Sequence, residues 1–180
     1  CKTKKAPFYQ AIDPETLHTQ TDMNTLYFLH GLESSGRGTK GTYLKTHFPD
    51  INCPDFTGPL RDRLEQFHQL CKNQTDLVLV GSSYGGLMAA CHAIKYPQQV
   101  ARIILLAPAL NYESYKPPET KLTIPTLLVM GKDDDVCPPD LVEPLAKRTF
   151  SNLQVILADD DHMLHNTFWN MKWSDLFSVS

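Results

Sequence analysis

Three short runs constrain this chain more than anything else in it: Leu77–Val80 (LVLV), Ile103–Leu106 (IILL) and Thr126–Met130 (TLLVM). A strand with one wet face alternates apolar and polar residues. These runs do not alternate, so they read as strands covered on both faces, which means a parallel sheet with helices on each side. Strands are expected at Thr25–His30, Ile51–Cys53, Leu77–Gly81, Arg102–Ala107, Thr126–Met130 and Leu153–Ala158. Helices are expected between and after them, at Thr39–His47, Leu60–Lys72, Gly85–Tyr96, Pro139–Phe150 and His165–Phe177. Leu60, Leu64, Phe67 and Leu70–Cys71 recur at helical spacing, and Pro97 closes the third helix. Strand and helix in alternation predict a doubly wound α/β fold, with its site at the carboxyl ends of the strands.

The LVLV run leads into Gly81-Ser82-Ser83-Tyr84-Gly85-Gly86 and then a helix-like Leu87-Met88-Ala89-Ala90. This is G-x-S-x-G with a strand before it and a helix after it. A serine that attacks a carbonyl must stand clear of the backbone on a very sharp turn. Such a turn crowds the residues two before and two after, so Gly81 and Gly85 leave room where a side chain would not fit. Ser82 lacks flanking glycines at those positions, and Ser83 is the expected nucleophile. The helix that follows turns its first amides toward the site and favours developing negative charge.

The carboxylate and histidine that complete such a triad follow in that order, each after a later strand. The loop after TLLVM contains Asp133-Asp134-Asp135, and the loop after Leu153–Ala158 contains Asp159-Asp160-Asp161-His162-Met163-Leu164-His165. The G-x-x-D spacing from Gly131, followed by Val and Pro, favours Asp134, with Asp133 second. His162 heads its loop and is favoured over His165, which is expected to begin the last helix. His162 would take the serine proton, and Asp134 would hold the imidazole's tautomer. An oxyanion hole needs two convergent amides. The first strand ends in His30-Gly31-Leu32-Glu33, so the expected donors are the backbone N–H groups of Leu32 and Tyr84. His30, Gly31, Glu33, Tyr112 and Met163 are expected to bind substrate, with Tyr84, Ala109, Leu110 and Tyr115 completing the pocket. Arg37 and Lys40 near its mouth could favour an anionic leaving group.

With these residues in view, the sequence resembles the small YqiA-like esterases of the α/β-hydrolase superfamily. The resemblance runs from about Leu26 to the last helix. It is carried by FLHGLESS with Lys40 after it, FPDI (Phe48–Ile51) followed by Pro54, GSSYGG, Ala107-Pro108-Ala109, GKDDDVCPP and Asp161-His162. It implies a minimal α/β-hydrolase fold without a large cap domain, since only Asn111–Ile124 separates two strands where larger relatives insert one. It also implies carboxylesterase activity on acyl esters or thioesters, with Ser83, His162 and an aspartate of the Gly131 loop at the site.

At 180 residues, with 42% hydrophobic and 21% charged residues, the chain fits one domain, expected over 23–180 behind a polar arm at 1–22. A net charge of -3 gives no general attraction to nucleic acid or anionic membrane. No apolar stretch reaches the roughly 20 residues of a membrane span. Five scattered cysteines without a C-x-x-C pair predict a reducing, cytoplasmic setting. With no dinucleotide fingerprint or phosphate loop, no cofactor is expected. A metal reading of Asp159–Asp161 with His162 and His165 lacks a well-placed further ligand, so no metal is expected either. The oligomeric state is left open. The function expected is hydrolysis of a small acyl ester or thioester, the alternatives being acyl transfer, lipase or peptidase chemistry on the same triad, or a non-catalytic binding role.

Overall fold

The computed structural model describes residues 24–178, so the polar arm expected at 1–22 lies outside the described residues. Five strands, β1 (Thr25–Leu29), β2 (Leu77–Ser82), β3 (Val100–Leu106), β4 (Thr126–Gly131) and β5 (Leu153–Ala158), form one parallel sheet in that order. On the outer side of β1 the Phe28 amide donates to the Asn52 carbonyl (2.8 Å) and the Asn52 amide to that of Leu26 (2.9 Å). The strand expected at Ile51–Cys53 is therefore a single bridge, Asn52 against Tyr27. Pro54 has no N–H to carry the ladder on.

Between β1 and β2 lie α1 (Thr39–His47) and α2 (Leu60–Cys71). The chain steps outward to Asn52 after α1 and back past β1 after α2, and this reversal winds the two helices onto opposite faces of the sheet. With the same hand, α3 (Tyr84–Lys95) and α4 (Pro139–Thr149) share the face of α2. The final turns, α5 (Thr167–Asn170) and α6 (Trp173–Phe177), share the face of α1.

Alternate residues of each strand feed two separate cores. Tyr27, Leu29, Leu77, Leu79, Ile103, Leu105, Leu128 and Met130 meet Phe67, Leu87, Met88, Val142 and Phe150 on one face. Phe28, Val78, Val80, Ile104, Leu106 and Val129 meet Leu44, Ile51, Leu164, Phe168 and Trp173 on the other. Most of these side chains are wholly buried, each contributing about 1.5–3 kcal/mol. The fold is doubly wound α/β with no large cap domain, as expected.

A second element differs, after the Ile51–Cys53 strand. The single helix expected over His165–Phe177 is broken into α5 and α6, with Met171 extended (ψ 140°) between them. The break lets Trp173 fold back so that its indole N–H donates to the Phe168 carbonyl at 3.0 Å while the ring is buried. Burying Trp173 and Phe177 on the sheet outweighs the helical bonds given up at the break.

Candidate active site

The site begins at the turn joining β2 to α3. Ser83 sits at φ 53°, ψ -115°, a conformation that costs a non-glycine residue on the order of 1–3 kcal/mol. The surrounding chain pins it there. Its amide donates to the Leu106 carbonyl (2.9 Å), and its own carbonyl accepts from Gly86 (2.9 Å) and Ala109 (2.9 Å). A Cβ on Gly81 would run into the Gly85 carbonyl and come within 2.7 Å of the Gly86 Cα, and one on Gly85 would strike the Leu29 carbonyl. The two glycines let β1, β2 and α3 close on the serine.

Ser83 faces the histidine chosen from the sequence. His162 Nε2 lies 3.0 Å from Ser83 Oγ, and Nδ1 lies 3.0 and 2.9 Å from the two carboxylate oxygens of Asp134. The Asp134 side chain is wholly buried, and Oδ1 also accepts from the Val136 and Cys137 amides at 3.0 and 2.7 Å. That set of donors holds the carboxylate square to the imidazole. Asp133 and Asp135 are exposed. His165 does not begin a helix and does not reach the serine; it pairs with Asp161 at the surface, Nδ1 to Oδ2 3.0 Å.

Gly31 brings the β1–α1 loop against Ser83, since a Cβ there would lie 3.6 Å from that of the serine. The Leu32 and Tyr84 amides donate to no other group among the described residues, leaving both free for an incoming oxygen. Beside them opens a cavity of about 1440 Å³, lined by Ser83 and His162 and by Leu32, Glu33, Tyr84, Ala109, Tyr112 and Met163. Leu32, Tyr112, Val136 and Met163 form an exposed apolar rim.

Three expected pocket residues lie elsewhere. Leu110 is buried in the core, and Tyr115 is buried with its hydroxyl 2.6 Å from that of Thr149. His30 is also buried: Nδ1–H donates to the Gly31 carbonyl (2.7 Å) and Nε2 accepts from the Phe56 amide (2.9 Å). Burial, and then the charge of Arg63, favour its neutral form over the ordinary titration of a histidine. Its work is to hold the loop. Of the two cations expected at the mouth, only Lys40 lines the cavity, and its ammonium donates to the Met163 carbonyl at 2.7 Å.

The sequence reading missed Arg61, Lys116, Val136 and Cys137, which also line the cavity. Val136 and Cys137 lie two and three residues after Asp134, and that nearness could have found them. Arg61 comes from the start of α2, two connections away from the serine, where nothing local marks it. Cys137 is no rival nucleophile, because burial, and then the neighbouring Asp134, push its thiol up to about 12.

No curated protein matches the chain. Among solved structures, a protein of the alpha/beta hydrolase superfamily from Xanthomonas campestris pv. campestris is 25% identical, with a TM-score of 0.66 over 84% of this chain and 93% of that one. An esterase from Exiguobacterium antarcticum is 14% identical, with a TM-score of 0.66 over 86% of this chain and 92% of that one. Alpha/beta hydrolase domain-containing protein 10 from mouse is 18% identical, with a TM-score of 0.66 over 84% of each chain. These last two likenesses speak to the fold alone. Residues 27–122, more than half of the chain and including the His30–Glu33 loop and the turn at Ser83, match the family model described as serine aminopeptidase S33. With that match, on an alpha/beta hydrolase fold, the chain belongs to the serine aminopeptidase S33 family of hydrolases.

Proposed function

We propose that the protein is a serine hydrolase that cleaves small acyl esters or thioesters, with residues 23–180 acting as one catalytic domain. The observation that carries the reading is the unbroken hydrogen-bonded line from Ser83 Oγ through His162 to buried Asp134, opening on the cavity. In the first step Ser83 Oγ bonds to the substrate carbonyl carbon while its proton passes to His162 Nε2. The carbonyl oxygen takes up the electron pair, and the Leu32 and Tyr84 amides donate to it at the mouth of the α3 dipole. The carbon–oxygen or carbon–sulfur bond then breaks, and His162 returns its proton to the leaving group. Water repeats the sequence on the acyl-enzyme, releasing the acid and restoring Ser83.

The apolar rim favours an apolar, unbranched acyl group lying across Leu32, Tyr112, Val136 and Met163. Transferring the acyl group to an acceptor other than water would use the same steps. A peptidase reading is favoured by one feature, Glu33 and Glu113 in the cavity wall, which could hold a free amino group beside the scissile bond. The free thiols among the described residues, Cys53, Cys71, Cys91 and Cys137, support a reducing, cytoplasmic setting. No helix among the described residues is long and apolar enough to cross a membrane.

The deciding experiment compares wild type with Ser83→Ala on p-nitrophenyl acetate, butyrate and octanoate, with a fluorophosphonate label on both. Turnover and labelling in wild type alone are expected, with butyrate faster than acetate. An inert, unlabelled wild type would replace the hydrolase reading with a binding role. Faster release from aminoacyl p-nitroanilides than from any ester would favour the peptidase.

A further inference from the structure

Arg63 stands in the first turn of α2, outside the cavity lining, and is 5% exposed. Its side chain ties together the pieces that frame the two free amides. Nε donates to the Gly58 carbonyl at 2.9 Å, and Nη2 donates to the Leu32 carbonyl at 3.1 Å. The guanidinium carbon lies 5.4 Å from the centre of the Tyr84 ring. Nη1 is buried and has no hydrogen-bond partner among the described residues. No carboxylate pairs with this cation among the described residues.

A buried guanidinium with an idle donor and no counter-charge is costly, and burial without a partner ordinarily selects against it. The contacts show where its charge is directed. Besides the Gly58 carbonyl it meets the Leu32 carbonyl and the Tyr84 ring, which belong to the two residues whose amides stand free beside Ser83. Two carbonyls bring only partial negative charge to it. A full negative charge arises in this neighbourhood once per half-reaction, on the oxygen of the tetrahedral intermediate.

Resting on the serine-hydrolase reading, we infer that Arg63 is the positioning residue of the oxyanion hole, holding the peptide that follows Leu32 by its carbonyl, and through it the Leu32 backbone whose N–H stands free, and supplying the buried positive field that the tetrahedral anion meets. The field is built before the substrate arrives, so it is felt mainly in the transition state. Gly58, at φ 85°, lets the chain turn so that its carbonyl meets Nε and aims the fork at Leu32.

The test uses Arg63→Met, which keeps the apolar stem, and Arg63→Lys, which keeps the charge without the fork. Both are compared with wild type for p-nitrophenyl butyrate kinetics, inhibition by phenylboronic acid and melting temperature. The boronic acid bonds to Ser83 Oγ as the serine proton passes to His162, leaving a negatively charged tetrahedral boron. Arg63→Met is expected to lower kcat about 100-fold with KM changed less than about twofold. Boronic acid affinity should fall by a similar factor, with the melting temperature no lower than wild type. Arg63→Lys should recover about tenfold of the loss.

If kcat and boronic acid affinity of Arg63→Met both stay within twofold of wild type, the inference is overturned. A loss that merely follows a lowered melting temperature, and that lysine does not restore, makes Arg63 structural and overturns it too. Failure of the wild-type enzyme to label with fluorophosphonate is a different result, seen without any Arg63 variant, and removes the parent reading together with this one.

Discussion

Asp133-Asp134-Asp135 and Asp159-Asp160-Asp161 follow adjacent strands, β4 and β5, and in both triplets only the middle residue is buried. The two buried carboxylates have different company. Asp134 accepts from two amides of its own loop and turns its remaining capacity to the His162 imidazole. Asp160 accepts at Oδ1 from the Asp161 amide (2.9 Å), and at Oδ2 from the Asn166 amide (2.9 Å) and the Thr167 amide and hydroxyl (2.8 Å each). One carboxylate holds the His162 imidazole, the base of the proposed mechanism. The other fastens the start of α5 to the loop that carries His162. The same three letters thus serve chemistry in one loop and architecture in the next, and the difference lies in the donors the fold supplies.

The sharpest test of this contrast is Asp134→Asn. It should lower kcat about 10³- to 10⁴-fold while shifting the melting temperature by only a few degrees, because the tautomer changes and the packing stays. A variant retaining more than a tenth of wild-type kcat would remove Asp134 from the triad. Asp160→Ala should show the opposite balance. Loss of its hydrogen bonds should cost about 2 kcal/mol, or roughly 4–8 °C of melting temperature. The folded variant should keep kcat within about tenfold, since no bond to the imidazole is removed.

Acid titration sharpens the second half of the comparison. Burial alone would raise the Asp160 carboxyl, but the bonds from Thr167, Asp161 and Asn166 outweigh it and hold the group at about 2, against an ordinary 3.8. The folded state therefore keeps Asp160 ionised where the unfolded chain binds a proton. The stabilisation is complete above pH 4 and is lost as the pH falls through 2, amounting to roughly 2 kcal/mol. Urea midpoints measured from pH 5 to pH 2 should fall more steeply for wild type than for Asp160→Asn, and parallel curves would contradict the assignment. Asp133→Asn, Asp135→Asn and Asp159→Asn should each leave kcat within about twofold and stability within about 0.5 kcal/mol. Among the described residues Asp159 pairs only with Lys132, at 3.7 Å and largely in water.

The triplets also mark how far the sequence could be read. Chain order places the expected acid in the loop after β4, and the G-x-x-D spacing from Gly131 favours Asp134 there over Asp133. Nothing around Asp160 announces its burial, since three of its four donors come from Asn166 and Thr167, in a segment that reads as the first turn of one long helix. That helix breaks for Trp173, a packing decision with no local signal. The continuous runs Leu77–Val80 and Ile103–Leu106 made the parallel sheet legible, because burial on both faces writes itself into every position. His30 looked like a pocket residue because it ends β1, and only the Phe56 amide on its Nε2 shows that it faces inward. Arg63 was invisible for a similar reason: its neighbours Leu32 and Tyr84 are brought to it by three different connections.

Besides the Asp134–His162 pair and the Asp133 amide on the Asp160 carbonyl, the loop bearing His162 has two further fastenings, the Asp160 carboxylate on the α5 side and the Lys40 ammonium on the Met163 carbonyl. Neither belongs to the sheet. Warming that loosens the carboxyl-terminal turns would swing the imidazole away from a serine still held by β2 and α3. Catalytic failure would then precede the cooperative melting of the strands, return on cooling, and leave hydrogen exchange in the central sheet unchanged. The working temperature limit of such a hydrolase belongs to its last fifteen described residues rather than to its core.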